Sequence, residues 1–312
     1  MKDSDCDFST NVDIPKRVGL QLDAEFTRIT STITSVNESV DGTVKFLVKL
    51  QDGNEVEAVI IDHSKEEAGR LTLCVSSQVG CRMGCTFCAT GTLGLSGNLL
   101  SGEILEQLWH AEQYLALLPA KRHITNIVFM GMGEPLENYD NVVAAIRGFT
   151  DPYRFGIGDT SITVSTVGLI SAIYRLMDDC PSVNLALSLH APTQAIRELI
   201  VPTASVYPLD ELMKAVDYFA KHQKYKGKKK GRVMMEYVVI KGINDSPENA
   251  HELGKLLYKR NCMVNLIPFN PFDGNAFEEP SAETVQTMSD IVSSYKHESP
   301  PNCTNQCRPS ML

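Results

Sequence analysis

An α/β fold built on a parallel sheet, open or curled into a partial barrel, is predicted by three features of the sequence. From Leu71 onward, short apolar runs alternate with amphipathic segments, a β-then-α order repeated six times. Several of these runs are almost continuously apolar, as strands buried on both faces are. Unusual polar residues and cysteines recur at the C-terminal ends of the runs, where such folds collect their chemistry. A small β-containing segment precedes this part.

Residues 1 to 20 are polar and read as irregular. TVKFLVKL, the turn QDGN and EVEAVII then form a hairpin, with Val44, Phe46, Val48 and Leu50 alternating with polar residues and Asp52-Gly53 at the turn. The following strands are LTLCV (71–75), ITNIVFM (124–130), SITVST (161–166), VNLALSL (183–189), VMMEYVVI (233–240) and MVNLIPF (263–269). Helices lie between them. One carries the stripe Ile104, Leu108, Ala111, Leu115 and Leu118, with Ser101 as its N-cap and Glu103 in its first turn. Leu209, Leu212, Met213, Val216 and Phe219 mark a second, and Leu253, Leu256 and Leu257 a third.

The 312 residues are long enough for a sizeable core, and 43% hydrophobic against 21% charged content excludes a largely disordered chain. No apolar run is long enough to span a bilayer, and MKDSDCDFST is neither a signal nor a transit peptide, so no membrane and a cytoplasmic location are expected. An organelle remains open if a longer N-terminus exists. The net charge of -9 argues against a generic nucleic-acid binder, yet KYKGKKKGR gathers Lys224, Lys226, Lys228, Lys229, Lys230 and Arg232 around Tyr225. That run reads as a solvated loop or as an RNA-backbone contact.

Nine cysteines stand at 6, 74, 81, 85, 88, 180, 262, 303 and 307, four of them between 74 and 88. Such crowding points to metal or redox chemistry. Cys81, Cys85 and Cys88 are spaced by three and two residues in a loop after the first core strand. Thiolates suit zinc or iron–sulfur clusters. Zinc needs a fourth ligand, for which Cys74 is at hand within a strand. A cluster of four irons on three cysteines leaves one iron open for a chelating substrate. Cys180 and Cys262 read as core packing, while Cys6, Cys303 and Cys307 have no assigned role.

With Phe87 before its last cysteine, CxxxCxxC resembles the cluster motif of the radical S-adenosylmethionine superfamily. Cys74-VSSQVG-Cys81, GMGEP (131–135), SLHAP (188–192) and LIPFNP (266–271) narrow the resemblance to the RNA adenine-C2 methyltransferase family, over Ile14 to Tyr295. The resemblance implies a partial (βα)6 barrel with a shortened accessory segment over 1–70, a core over 71–296 and a divergent, disordered tail over 297–312. It implies a 4Fe–4S cluster on Cys81, Cys85 and Cys88, its open iron taking S-adenosylmethionine. Gly133, Glu134, Ser165, Ser188, Leu189, His190 and Asn270 would bind that cofactor. The family places a product-releasing cysteine at Cys74 and a proton acceptor at Glu57. Without it, Glu134 and Asn270 are a strand-ending turn and an Asn-Pro turn, Ser165 and Ser188 helix caps, Cys74 a core residue and Glu57 an outward strand carboxylate.

The implied substrate is adenine C2 in ribosomal RNA, with transfer RNA a further candidate. An electron donor such as flavodoxin or ferredoxin and a monomeric state go with it. The family also carries a methyl group on a cysteine in an Ala-Cys-Gly segment near the C-terminus. No Ala-Cys-Gly occurs in these 312 residues, and neither Cys303 nor Cys307 has that context, so the chain reads as shortened at both ends. The alternative expectation is a protein that binds cluster, cofactor and RNA without methylating.

Overall fold

The computed structural model describes residues 8–10, 13–63, 69–224 and 231–295. Cys6, Cys303, Cys307, the expected tail and most of the basic run lie outside them; Lys224 and Arg232 flank the run within them. A helix, α1 (Lys16–Glu25), occupies part of the stretch expected to be irregular. Its pattern is hard to see because Val18 and Leu20 are exposed and its buried residue is Gly19. A Cβ at Gly19 would lie 2.6 Å from Ser9 Cα, so the glycine admits the preceding turn, and Asp23 accepts from Phe8 N (2.6 Å) and Ser9 N (3.0 Å).

Strands β1 (Thr32–Glu38), β2 (Val44–Lys49) and β3 (Glu55–Asp62) form an antiparallel meander, and β3 pairs antiparallel with β4 (Leu71–Cys74). The chain then makes a side ribbon of β5 (Gln78–Cys81) and β6 (Gly94–Asn98), with the single turn α2 (Ala89–Thr92) between them. Helix α3 (Ser101–Ala116) returns the chain to β7 (Asn126–Phe129). The alternation continues through α4 (Tyr139–Thr150), β8 (Ile162–Thr166), α5 (Ile170–Asp179) and β9 (Asn184–Ser188). It ends with α6 (Gln194–Ile200), α7 (Leu209–His222), β10 (Val233–Val239), α8 (Pro247–Leu257), β11 (Cys262–Pro268) and α9 (Ala282–Ser294).

The main sheet has nine strands in the order β1-β2-β3-β4-β7-β8-β9-β10-β11, parallel from β4 onward. Six parallel strands with outer helices are the expected (βα)6 unit, left unclosed. All six core strands fall within two residues of their expected ends. Two local expectations differ. Ser101 is the first helical residue of α3, and the end is capped by the Glu103 carboxylate accepting from Leu100 N (2.8 Å). Leu118 lies past the end of α3 and is exposed, so the buried stripe stops at Leu115.

The junction near residue 70 is where pairing changes from antiparallel to parallel within one sheet. A single apolar cluster runs from Phe46, Val48 and Ala58 through Leu73 to Leu108, Phe129 and Tyr237. The N-terminal strands therefore share the core rather than packing as a separate module. Thr30 and Ser31, leading into β1, donate their backbone N–H groups to the buried Glu106 of α3 (2.9 and 2.8 Å), and His110 contacts Ser31 Oγ at 3.0 Å. Phe46 is fully buried, edge-on to Tyr114 at 5.3 Å between centroids. Phe46→Ala is expected to cost about 3–5 kcal/mol. Urea denaturation should show a lower midpoint at an unchanged slope.

Candidate active site

Strand pairing sorts side chains by parity, because register partners point to the same face and the next residue to the other. Val59 pairs with Cys74, Cys74 with Val128, and Val128 with Thr163. Ser165, two beyond Thr163, pairs with Ala186, and Ser188 pairs with Glu236. Glu57, Cys74, Ser165, Ser188 and Glu236 thus share the inner face of one sheet. The opposite parity, Ile60, Leu73, Ile127, Ile162 and Leu187, is buried in the apolar cluster.

On that inner face lies a cavity of about 240 Å³. Cys81, Cys85 and Cys88 line one side, and Gly133, Glu134, Ser165, Ser188, His190 and Asn270 line the others. The cysteines are delivered by the side ribbon. Gly80 takes φ +76° at its bulge, where a Cβ would lie 1.9 Å from Gly94 O, so only glycine fits. Thr86 N donates to Ile200 O (3.0 Å) and Asn275 Nδ2 to Thr86 O (2.7 Å), pinning the loop between Cys85 and Cys88 to two other segments. Burial pushes the Cys81 thiol up to about 11 and the Cys85 thiol up to about 12, and the neighbouring cysteines add to both shifts. Among the described residues no three Cys, His, Asp or Glu side chains converge on a single metal ion.

The other walls are strand-end turns. Gly133 has φ +99°, and a Cβ there would lie 2.5 Å from Gln78 Cβ. That close approach lets Gln78 Oε1 accept from Glu134 N (2.8 Å). Glu134 accepts from Leu136 N (3.0 Å) and Val167 N (2.8 Å), tying the β7 turn to the β8 turn, and burial pushes its carboxyl up to about 7. His190 stands at φ 56°, its ring edge-on to Phe87 at 4.6 Å. Val238 N donates to His190 Nδ1 (3.1 Å), and burial pushes the ring down to about 3, so it is neutral with its proton on Nε2. Ser165 and Ser188 face the cavity, so neither acts as a helix cap.

Residues 75–254 match the radical SAM superfamily. The ribosomal RNA large subunit methyltransferase N of Nitrosopumilus maritimus (strain SCM1) is 41% identical over 302 residues, covering 94% of this chain and 82% of that protein. The chain belongs to this radical SAM methyltransferase family. The crystal structure of a radical SAM methyltransferase from Sphaerobacter thermophilus is 36% identical with a TM-score of 0.84, covering 94% of this chain and 85% of that one. The structure of TYW1 with a lysine-pyruvate adduct bound shares the fold alone, at 15% identity and a TM-score of 0.50 over 90% of each chain.

Membership in the family implies a 4Fe–4S cluster and S-adenosylmethionine. The site fits both. Three thiols bordering one cavity suit iron, and Glu134, Ser165, Ser188, His190 and Asn270 border the same space with the polar groups a charged cofactor needs. Among the described residues no helix is long and apolar enough to cross a membrane.

Three expected site residues do not line the cavity. Leu189 is fully buried beneath it, its N–H donating to Glu236 O (3.0 Å) and its carbonyl accepting from Arg197 Nε (3.1 Å). Cys74 is buried at the end of β4, where burial pushes its thiol up to about 12. Glu57 is half-buried on β3 and pairs with Lys45 at 2.9 Å.

Sequence reasoning missed three residues. Asn244, fully buried, donates through Nδ2 to His190 O and Val238 O (both 2.7 Å) and accepts from Ile240 N (2.7 Å), fixing the turn that carries His190. Arg197 is fully buried, although QAIRELI gives it the look of a solvated helix residue. Glu236 lines the cavity and accepts from Asn265 Nδ2 (2.8 Å). A charge interrupting the apolar run VMMEYVVI is the signal that could have found it.

Burial pushes Glu236 up to about 7 from an ordinary value of 4.5. The folded state then binds the proton more tightly than the unfolded one, so this stability is full below pH 4.5 and declines as pH rises toward 7. Glu236→Gln should flatten the decline across that window, measured by thermal melting at stepped pH. Glu134, shifted the same way, adds a decline of its own that persists, while His190, pushed down to about 3, opposes it by adding stability as pH rises from 3 to 6.5.

Proposed function

We propose that this chain methylates C2 of an adenine in ribosomal RNA, with transfer RNA a second substrate of the same site. The supporting observation is that one cavity gathers the three cysteines of CxxxCxxC and polar groups from the ends of β7, β8, β9 and β11. Cys81, Cys85 and Cys88 hold the cluster. Gly133 lines the space for the cofactor, its missing Cβ admitting Gln78 behind it, and Glu134, Ser165, Ser188, His190 and Asn270 supply polar contacts to the cofactor. Leu189 contributes by anchoring the turn beneath. Bound there, the cluster and S-adenosylmethionine supply radical chemistry and the methyl group.

The chain's own groups manage position and protons. Neutral His190 keeps a donor at Nε2, its Nδ1 being occupied by Val238 N. Glu57 takes the proton displaced from the base, and Lys45 Nζ at 2.9 Å stabilises its carboxylate until then. Cys74 stands where the family's product-releasing cysteine stands: its thiol attacks the protein sulfur bonded to the base, an S–S bond forming as the carbon–sulfur bond breaks and the freed carbon taking a proton to become the methyl group. Burial keeps the thiol protonated and unreactive before that step. Glu57 and Cys74 share the inner face on paired strands, the carboxylate diagonal to the thiol. An adenine reaching this face must be single-stranded or splayed from its stack. An electron donor such as flavodoxin or ferredoxin, a monomeric state and a cytoplasmic or organellar location complete the reading.

Anaerobically reconstituted protein, incubated with ribosomal and transfer RNA and S-adenosylmethionine, tests it by mass spectrometry of digested RNA. The expected product is 2-methyladenosine. Cys88→Ala should abolish both brown colour and product, whereas Cys74→Ala should keep colour and cofactor cleavage and lower the product on the order of 100-fold. The alternative outcome is cofactor cleavage and RNA binding without methylation. Cleaved cofactor with no methyladenosine and no S-methylcysteine would establish that reading instead.

A further inference from the structure

Arg197 has no counter-ion among the described residues. It is fully buried on α6, and its neighbours in the cavity wall are neutral carbonyls. Nε donates to Leu189 O (3.1 Å), and Nη2 donates to Val167 O (2.5 Å) and Ser188 O (3.2 Å). Nη1 is buried without a hydrogen-bond partner. Glu134 and Glu236, the buried carboxylates of this wall, accept from Leu136 N, Val167 N and Asn265 Nδ2 instead. A buried guanidinium without an anion is strongly unfavourable. Ties to three carbonyls require donors, not a positive charge.

The missing anion has a place. Helix α6 and the turn after it pack on the cysteine loop: Ile200 O accepts from Thr86 N (3.0 Å), and Cys85, Met83, Ile200, Val201 and Ala204 form one apolar cluster. Cys85 of that cluster is near enough to Arg197 for a thiolate there to favour the guanidinium charge, and that charge in turn disfavours a proton on His190. We propose that Arg197 is the built-in counter-cation of the iron–sulfur cluster, holding its reduction potential up by stabilising the more anionic reduced form. A cluster bound by thiolates is anionic, gains a further negative charge on reduction, and responds to fixed charges nearby. The inference rests on the reading that Cys81, Cys85 and Cys88 carry the cluster. Arg197 acts through that cluster as a positioning charge and is not a catalytic residue.

Potentiometric titration of the reconstituted holoprotein, followed by electron paramagnetic resonance of the reduced cluster, tests it in the parent, Arg197→Gln and Arg197→Lys. The glutamine variant should titrate at a more negative potential than the parent, and lysine, which keeps the charge and loses the fork, should restore the parent value. A glutamine variant whose cluster titrates with the parent, or a lysine variant displaced as far as glutamine, overturns the inference. Thermal melting of the cluster-free proteins reads the carbonyl ties separately: both variants give up guanidinium donors to Leu189, Val167 and Ser188, so both should melt below the parent while only glutamine shifts the potential. Potentials that instead follow the melting temperatures across the three proteins show the guanidinium to act only as a strut for the carbonyls, which also overturns the inference. A parent that takes up no cluster overturns the functional reading itself, an outcome distinct from unchanged potentials.

Discussion

The site depends on the period-two parity of a single hydrogen-bonded sheet. Eight strands, β2 to β4 and β7 to β11, pair without a register shift and commit alternate residues to the same face, while β1 joins them through a bulge between Ile33 and Ser35. The outer parity is occupied by Phe46, Leu73, Ile127 and Leu187, which bury against one another and the helices. Because that face must be apolar, the inner face is where serine, glutamate and cysteine can stand. A one-residue slip between β8 and β9 would exchange Ser188 for Leu187 in the cavity wall and expel a core leucine inward. Core stability and site geometry are therefore one constraint.

Parity places side chains but leaves the backbone at the strand ends unpaired, and the cavity sits at those ends. Each turn is consequently held by a buried polar residue that reaches across from elsewhere. Glu134 ties the β7 turn to the β8 turn, Arg197 binds carbonyls of the β8 and β9 turns, and Asn244 joins the β9 and β10 ends. Each satisfies several backbone groups that the sheet cannot. The arrangement explains why groups as polar as these are among the most buried in the protein, and why burial moves Glu134 and Glu236 so far from their ordinary values.

What was legible in the sequence follows the same division. Strands reveal themselves through local periodicity, so β4 and β7 to β11 and the alternation in β2 can be read directly. The cysteine spacing is local too, and motif words at successive strand ends point to one pocket. The ribbon of β5 and β6 escapes because it rests on the glycines Gly80 and Gly94, which carry no strand pattern. Helix α1 escapes because it buries a glycine. Arg197 and Asn244 escape for a deeper reason: their partners are backbone atoms of segments distant in sequence, and a bond to backbone leaves no trace in the partner's residue type.

The meander β1 to β3 illustrates what that non-local character means for chemistry. Read locally, Glu57 is an outward strand carboxylate of a small accessory module. Pairing of β3 with β4 changes its meaning, because Val59 opposite Cys74 puts Glu57 on the inner face beside that thiol. Lys45 follows by the same rule, pairing with Val59 in the register of β2 and β3 and holding the Glu57 carboxylate. An ion pair this exposed contributes little to folding, roughly 0–1 kcal/mol. The accessory strands thus complete the inner face. They extend it beyond the strands that line the cavity, as far as the half-buried Glu57.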